Sequence, residues 1–132
     1  MKAPEGIKLI ESELSTYWLD ENGILCSIVK SVPFTIERMD LNFKVVSEIT
    51  GNKRVCVLVD LTHALPVEKA ARVYAAGIVS NYYKAMAFVS PSPFTRIIGN
   101  AFIALAGAPI PTRQFKTEEG SKEWLMRYLP VN

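Results

Sequence analysis

Asp60, Thr62 and His63 fall within the stretch RVCVLVDLTH, Arg54 to His63, and form the most chemically capable group in the chain. A carboxylate three residues before the only histidine has the make-up of a general base, the Asp orienting the imidazole. Chain order allows a Ser-His-Asp arrangement. No G-x-S-x-G elbow is present to expose a serine, however, so no residue is assigned a catalytic role. The other reading of Asp60 is structural, because a carboxylate at a strand end accepts hydrogen bonds from the amides of the loop that follows. One His and two Cys, Cys26 and Cys56, in separate strands lack the ligand spacing of a zinc site, and no metal is expected. The seven glycines form neither G-x-G-x-x-G nor a Walker loop, so no cofactor is expected either. The 15 Lys and Arg against 13 Asp and Glu are scattered, for a net charge of +2, which gives no basic face for nucleic acid.

A second group of residues is suited to binding. The segment from Phe94 to Ala106 reads as a helix with Phe94, Ile97, Ile98, Ala101, Phe102 and Leu105 in one apolar stripe. Ser92, Arg96, Gly99, Asn100 and Ile103 then fall on the opposite side. A helical glycine is about 1 kcal/mol less favourable than alanine, and its use permits close approach by another backbone or a ligand. This face is expected either to meet a partner subunit or to line a pocket. The alternative is that Ile103 is one exposed apolar residue of the ordinary kind. Arg113, between Pro111 and Phe115, is placed to pair with an acidic group or an anion, or to lie solvated. Arg72, with Lys69 beside it, is expected on a solvated helix face.

These residues need a scaffold. Val55 to Val59 is an unbroken apolar run rich in β-branched residues, the mark of a strand buried on both faces inside a helix-flanked sheet. Upstream, residues 1–6 read as a loose start and Ile7 to Leu19 as a strand, with Leu14, Thr16 and Trp18 alternating against Ser15, Tyr17 and Leu19. Asp20 to Gly23 is a hairpin turn, and Ile24 to Lys30 is the return strand. A helix over Thr35 to Thr50 has Ile36, Met39, Phe43, Val46 and Ile49 on one face, Thr35 as its cap and Gly51 at its end. Pro66 suits the first turn of a second helix running to Ser80. Tyr83 to Ser90 is a strand, Gly107 to Pro111 a rigid loop, and Thr112 to Lys116 a short strand. Thr117 caps a last helix that buries Trp124, Leu125, Tyr128 and Leu129. The order β-β-α-β-α-β-α-β-α predicts an α/β fold. It has an N-terminal hairpin and a mixed sheet, mostly parallel afterwards, with helices packed on it.

At 132 residues, 49% hydrophobic and 21% charged, the chain is expected to form one globular domain over 1–132 rather than a disordered segment. Its most apolar stretch, Ile97 to Ile110, is shorter than the ~20 residues of a membrane span. Asn100, two glycines and Pro109 interrupt it, so no span is expected. The start MKAPEGIKLIESE has no apolar signal region, so a cytoplasmic location with buried, unpaired thiols is expected.

Three stretches resemble a known family: VLVDL at Val57 to Leu61, SPSPFTRIIGNAFIALAGAPIPTRQF at Ser90 to Phe115, and EEGSKEWL at Glu118 to Leu125. Together they resemble the STAS domain, the SpoIIAA-like fold of bacterial anti-sigma-factor antagonists, in an uncharacterised single-domain subgroup. That subgroup carries S-x-x-x-R-x-x-G-N and P-x-P-x-R-x-F, here Ser92, Arg96, Gly99, Asn100, Pro109, Pro111, Arg113 and Phe115. It closes on an acidic helix in WL, here Trp124 and Leu125. The resemblance implies a bacterial, non-enzymatic regulatory module acting by protein–protein contact, with a homodimer as one form. In antagonists of the family a serine of a D-S-S-G-type turn at a helix N-terminus is phosphorylated, and amides and dipole would hold the phosphate there. Here that position reads Ala64 to Ala71 without a hydroxyl, and Thr62 lies too early, so no such switch is expected. The fold is also similar to the lipid-binding CRAL-TRIO class. The second expectation is therefore a carrier or sensor of a small apolar or amphipathic ligand between helices and sheet, with Arg96 or Arg113 near its polar end. The least favoured reading is a hydrolase using Asp60 and His63. An internal cavity lined by Phe88, Ile98 and Phe102 would favour the carrier; a broad apolar surface on the second or third helix would favour the interaction module.

Overall fold

The apolar run ending at Asp60 becomes β4 (Val55–Asp60), with Cys56, Val57 and Leu58 buried. It is an inner strand of a six-stranded sheet in a computed structural model that describes residues 1–104 and 110–130. The other strands are β1 (Ile10–Glu11), β2 (Ser15–Leu19), β3 (Leu25–Val29), β5 (Tyr83–Val89) and β6 (Thr112–Phe115). Sheet order follows chain order; β1 to β3 pair antiparallel and β3 to β6 parallel. The helices are α1 (Ile36–Thr50), α2 (Lys69–Ile78), α3 (Pro93–Ile103) and α4 (Glu118–Leu125). The mixed sheet and the alternation after the hairpin are as the sequence predicts.

Three successive crossovers between neighbouring parallel strands put α1, α2 and α3 on one face of the sheet. Their buried residues pack with Leu25, Val57, Phe88 and Val29. The last helix lies on the opposite face, where Trp124 and Leu125 meet Trp18, Cys26, Cys56 and Leu58. The small Ala85 and Ala87 of β5 let it approach closely. Both thiols are free and buried there; burial pushes Cys26 up to about 12 and raises Cys56 as well.

Caps fall where the sequence places them. The Thr35 hydroxyl accepts from the Arg38 amide and the Thr117 hydroxyl from the Gly120 amide, while Gly51 ends α1 at φ 63°. Several boundaries differ. The single strand expected over Ile7 to Leu19 is two, because the Ser12 hydroxyl accepts from the amides of Leu14 and Ser15 and turns the chain between them. The first six residues are not loose. Met1 and Ala3 pack against the α4-side cluster, and the Met1 ammonium lies 3.1 Å from Asp60 Oδ2. The second helix starts at Lys69 rather than Pro66, since the preceding loop first tucks Ala64 and Val67 into the core. The expected extension of α3 to Ala106, the Leu105 position and Gly107 to Pro109 lie outside the described residues. Among the described residues no helix is long and apolar enough to cross a membrane.

The phase of α3 is the main correction. Thr95, Ile98 and Gly99 are its buried residues, with Phe102 and Ile103 half-buried. Phe94 is 53% and Ile97 68% exposed. The expected inward stripe is therefore split, and Gly99 and Ile103 belong to the packed side.

Candidate functional site

Between the sheet and α1 to α3 lies a cavity of about 110 Å³. Its apolar side includes Phe88, Ile98 and Phe102, with Leu61 and Ala64 from the loop after β4. On α2 the small Ala75 and Ala76 leave this space open above Val57 and Val59.

The opposite side of the cavity is polar. Paired residues in a sheet share a face, so Ser15 and Tyr17 of β2 point the same way as Val29 and Ser27 of β3. That way is inward. Tyr83 joins them through an irregularity in β5: Val55 pairs with Tyr83 but Cys56 with Ala85, leaving Lys84 extra. One extra residue flips the strand's alternation and turns Tyr83 toward the cavity. From α1, Asn42 Oδ1 accepts from the Tyr17 hydroxyl at 2.8 Å and from the Ser12 hydroxyl at 2.7 Å. Ser15, Ser27 and Tyr83 line the same cavity as Tyr17 and add their hydroxyls to its polar side.

Burial pushes the Tyr17 phenol up, against these partners, which lower it. It pushes Tyr83 well up, with Tyr17 adding to the effect. An unfolded phenol titrates near 10. The folded chain thus keeps protons that the unfolded chain gives up, so stability is intact below about pH 10 and falls as pH rises past it. Melting followed by circular dichroism at roughly pH 9 and roughly pH 11 should show this loss, smaller in Tyr17→Phe. An equal loss in that variant would place the alkaline sensitivity elsewhere.

The strand-end group is arranged differently. Asp60 is almost wholly buried, facing the α4 side rather than the cavity. Its Oδ1 accepts from the Thr62 amide at 3.0 Å and the Thr62 hydroxyl at 2.6 Å, and its Oδ2 pairs with the Met1 ammonium. This matches the structural reading of a strand-end carboxylate. His63 is exposed, and its carbonyl accepts from the Ser31 hydroxyl. The hydrogen bonds described for Asp60 do not include the imidazole.

On the α3–β6 side, Ser92 and Thr95 form a capping box: each side-chain oxygen accepts from the other's amide at 3.1 Å. The Arg96, Gly99 and Asn100 face docks on a residue sequence reasoning did not single out, Gln114 of β6. Gln114 Nε2 donates to Asn100 Oδ1 at 2.6 Å and to the Arg96 carbonyl at 3.2 Å, and Ser90 Oγ donates to Gln114 Oε1 at 2.6 Å. The close approach expected at Gly99 is thus made by the chain's own glutamine. Arg113 is exposed with its guanidinium 5.5 Å above the Phe115 ring, on the α4 face. Arg72 is half-buried rather than solvated, its Nη1 donating to the Val67 carbonyl at 3.0 Å. Neither Arg96 nor Arg113 is among the described cavity residues, so the expected basic polar end is replaced by an uncharged one.

The cavity's polar set was missed for a physical reason. Alternation along one strand separates two faces without saying which is wet, and here helices cover both. The one available signal was the recurrence of Ser or Tyr at Ser15, Tyr17 and Ser27.

A family model described as a domain of unknown function, DUF7793, matches residues 17–129. A solved structure of an uncharacterised protein of the DUF3478 family with a SpoIIAA-like fold, from Shewanella loihica PV-4, is similar. It has 15% sequence identity and a TM-score of 0.55, over 95% of this chain and 98% of that one. No curated protein matches. At that identity the likeness concerns fold, and it bears out the SpoIIAA-like architecture read from VLVDL and the Ser90–Leu125 stretch.

Proposed function

The chain belongs to the DUF7793 family of unknown function, and on that premise we propose that it is a non-enzymatic SpoIIAA-like module acting by protein–protein contact, without a phosphoserine switch. The observation that carries this is the outward face of α3. There Phe94 and Ile97, three positions apart and on adjacent ridges of one helix, leave large apolar side chains in solvent. The absence of a hydroxyl in Ala64 to Ala71, and the commitment of the Thr62 hydroxyl to Asp60, support a contact that phosphate at this turn does not regulate.

The partner we propose first is a second copy of the chain, placing α3 against α3. Light scattering across a concentration series should give a dimer for the native chain and a monomer for Ile97→Glu, with unchanged circular dichroism. A native chain that stays monomeric at the highest concentrations, with a mass unaltered by the substitution, would remove the self-contact.

A second reading is favoured by a specific observation. The cavity lined by Phe88, Ile98 and Phe102 supports a carrier or sensor of a small ligand held between sheet and helices.

A further inference from the structure

Resting on that second reading, we propose that the cavity takes a small uncharged molecule bearing a single hydroxyl or carbonyl. Its oxygen would lie at the Tyr17–Asn42 end and its hydrocarbon part against Phe88 and Phe102.

Three observations define this class. The first is size. A cavity of about 110 Å³ is somewhat smaller than the ~150 Å³ engineered apolar cavity that takes up benzene. That suits a single ring or a short branched chain and is too little for an acyl tail.

The second is charge. Among the described lining residues there is no Asp, Glu, Lys, Arg or His. A carboxylate or ammonium in the ligand would leave water and meet no counter-charge, which is strongly unfavourable. The phenols supply none either, since burial holds both in the neutral form.

The third is the placement of polar groups where a plain core would be apolar. Ser15 and Ser27 lie on the face of the sheet covered by α1 to α3 and are buried, as is Asn42. Asn42 Oδ1 already accepts twice, so the amide hydrogens are the polar capacity the residue has left. Ser27 and Tyr83 line the same cavity, so their hydroxyls and the Asn42 amide present uncharged donors to it. Donors without charge select an acceptor oxygen without charge.

The test compares four probes built on one ring: benzene, phenol, benzoate and benzylammonium. Binding is read from the methyl resonances of Leu14, Val59 and Ile98, which line the cavity, against those of Leu58 and Leu125 on the opposite face. Phenol should shift the first set and not the second. It should bind about 2–10-fold more tightly than benzene, the worth of one neutral hydrogen bond. The two ions should leave both sets unmoved. Ser27→Ala should bring phenol down to the affinity of benzene, and Tyr83→Phe gives the same comparison should the first variant fold poorly. Ala75→Leu, which fills the space, should abolish binding of both. If benzene binds as tightly as phenol, or benzoate binds as well as either, the proposed ligand class is overturned while the cavity still binds. If no probe shifts the cavity methyls, the ligand-binding reading itself falls.

Discussion

Leu58→Ala is expected to lower unfolding free energy by about 4–5 kcal/mol, at the upper end of buried Leu→Ala substitutions. Leu14→Ala should lose only about 2–3 kcal/mol although both side chains are equally removed from water, at 0% and 1% exposure. The difference lies in what surrounds each. Leu58 is enclosed by Trp18, Ala85, Ala87 and Leu125 on the side covered by α4, so truncation opens a new void in a packed layer. Leu14 lines the existing cavity, has neighbours on fewer sides, and forfeits less dispersion when shortened. Against a typical total of about 5–15 kcal/mol, the Leu58 variant will sit near the edge of folding. Leu58→Val gives a milder point on the same line. Urea unfolding with an unchanged slope measures both. Equal losses at the two leucines would mean that the cavity side is as tightly packed as the other, and would count against a ligand site there.

The same contrast explains what the sequence made legible. Val55 to Val59 announced an inner strand because both of its faces are apolar, a pattern that solvent-facing strands do not show. The hairpin, Thr35, Gly51 and Thr117 were legible because turn and cap chemistry is local. The cavity was not, since it depends on how three helices rest on one face and on a single extra residue at Lys84 that reverses Tyr83. Nor was the phase of α3. Ile103 lies across the helix from Phe94, so with Ile97, Ile98, Ala101 and Phe102 the apolar residues reach around more than half of the circumference and periodicity gives no unique inward direction. The residue that marks it is the smallest one, Gly99, whose missing side chain leaves room for Gln114 of β6.

That contact yields the second large effect. A Cβ built on Gly99 would stand 2.1 Å from Gln114 Oε1 and 2.5 Å from its Cδ. A free glutamine tip would swing aside at little cost, but this one is held by Ser90, Asn100 and the Arg96 carbonyl. Gly99→Ala must therefore expel the amide and break three hydrogen bonds worth about 0.5–1.5 kcal/mol each. It regains about 1 kcal/mol of helix propensity. A net loss of about 1–3 kcal/mol is expected, together with a shift of α3 relative to β6. Gln114→Ala removes the obstacle as well as the bonds, so in its background the added methyl should be neutral or stabilising. The double variant should then be more stable than the sum of the single changes by at least about 1 kcal/mol. Thermal or urea unfolding of the four proteins closes the cycle. Simple additivity would mean that Gln114 is not what confines position 99 to glycine. The arrangement also bears on the outward face of α3: the turn that presses Gly99 onto Gln114 is the one that leaves Phe94 and Ile97 in solvent. An α3 loosened by Gly99→Ala should therefore weaken the proposed self-contact even with both apolar side chains in place.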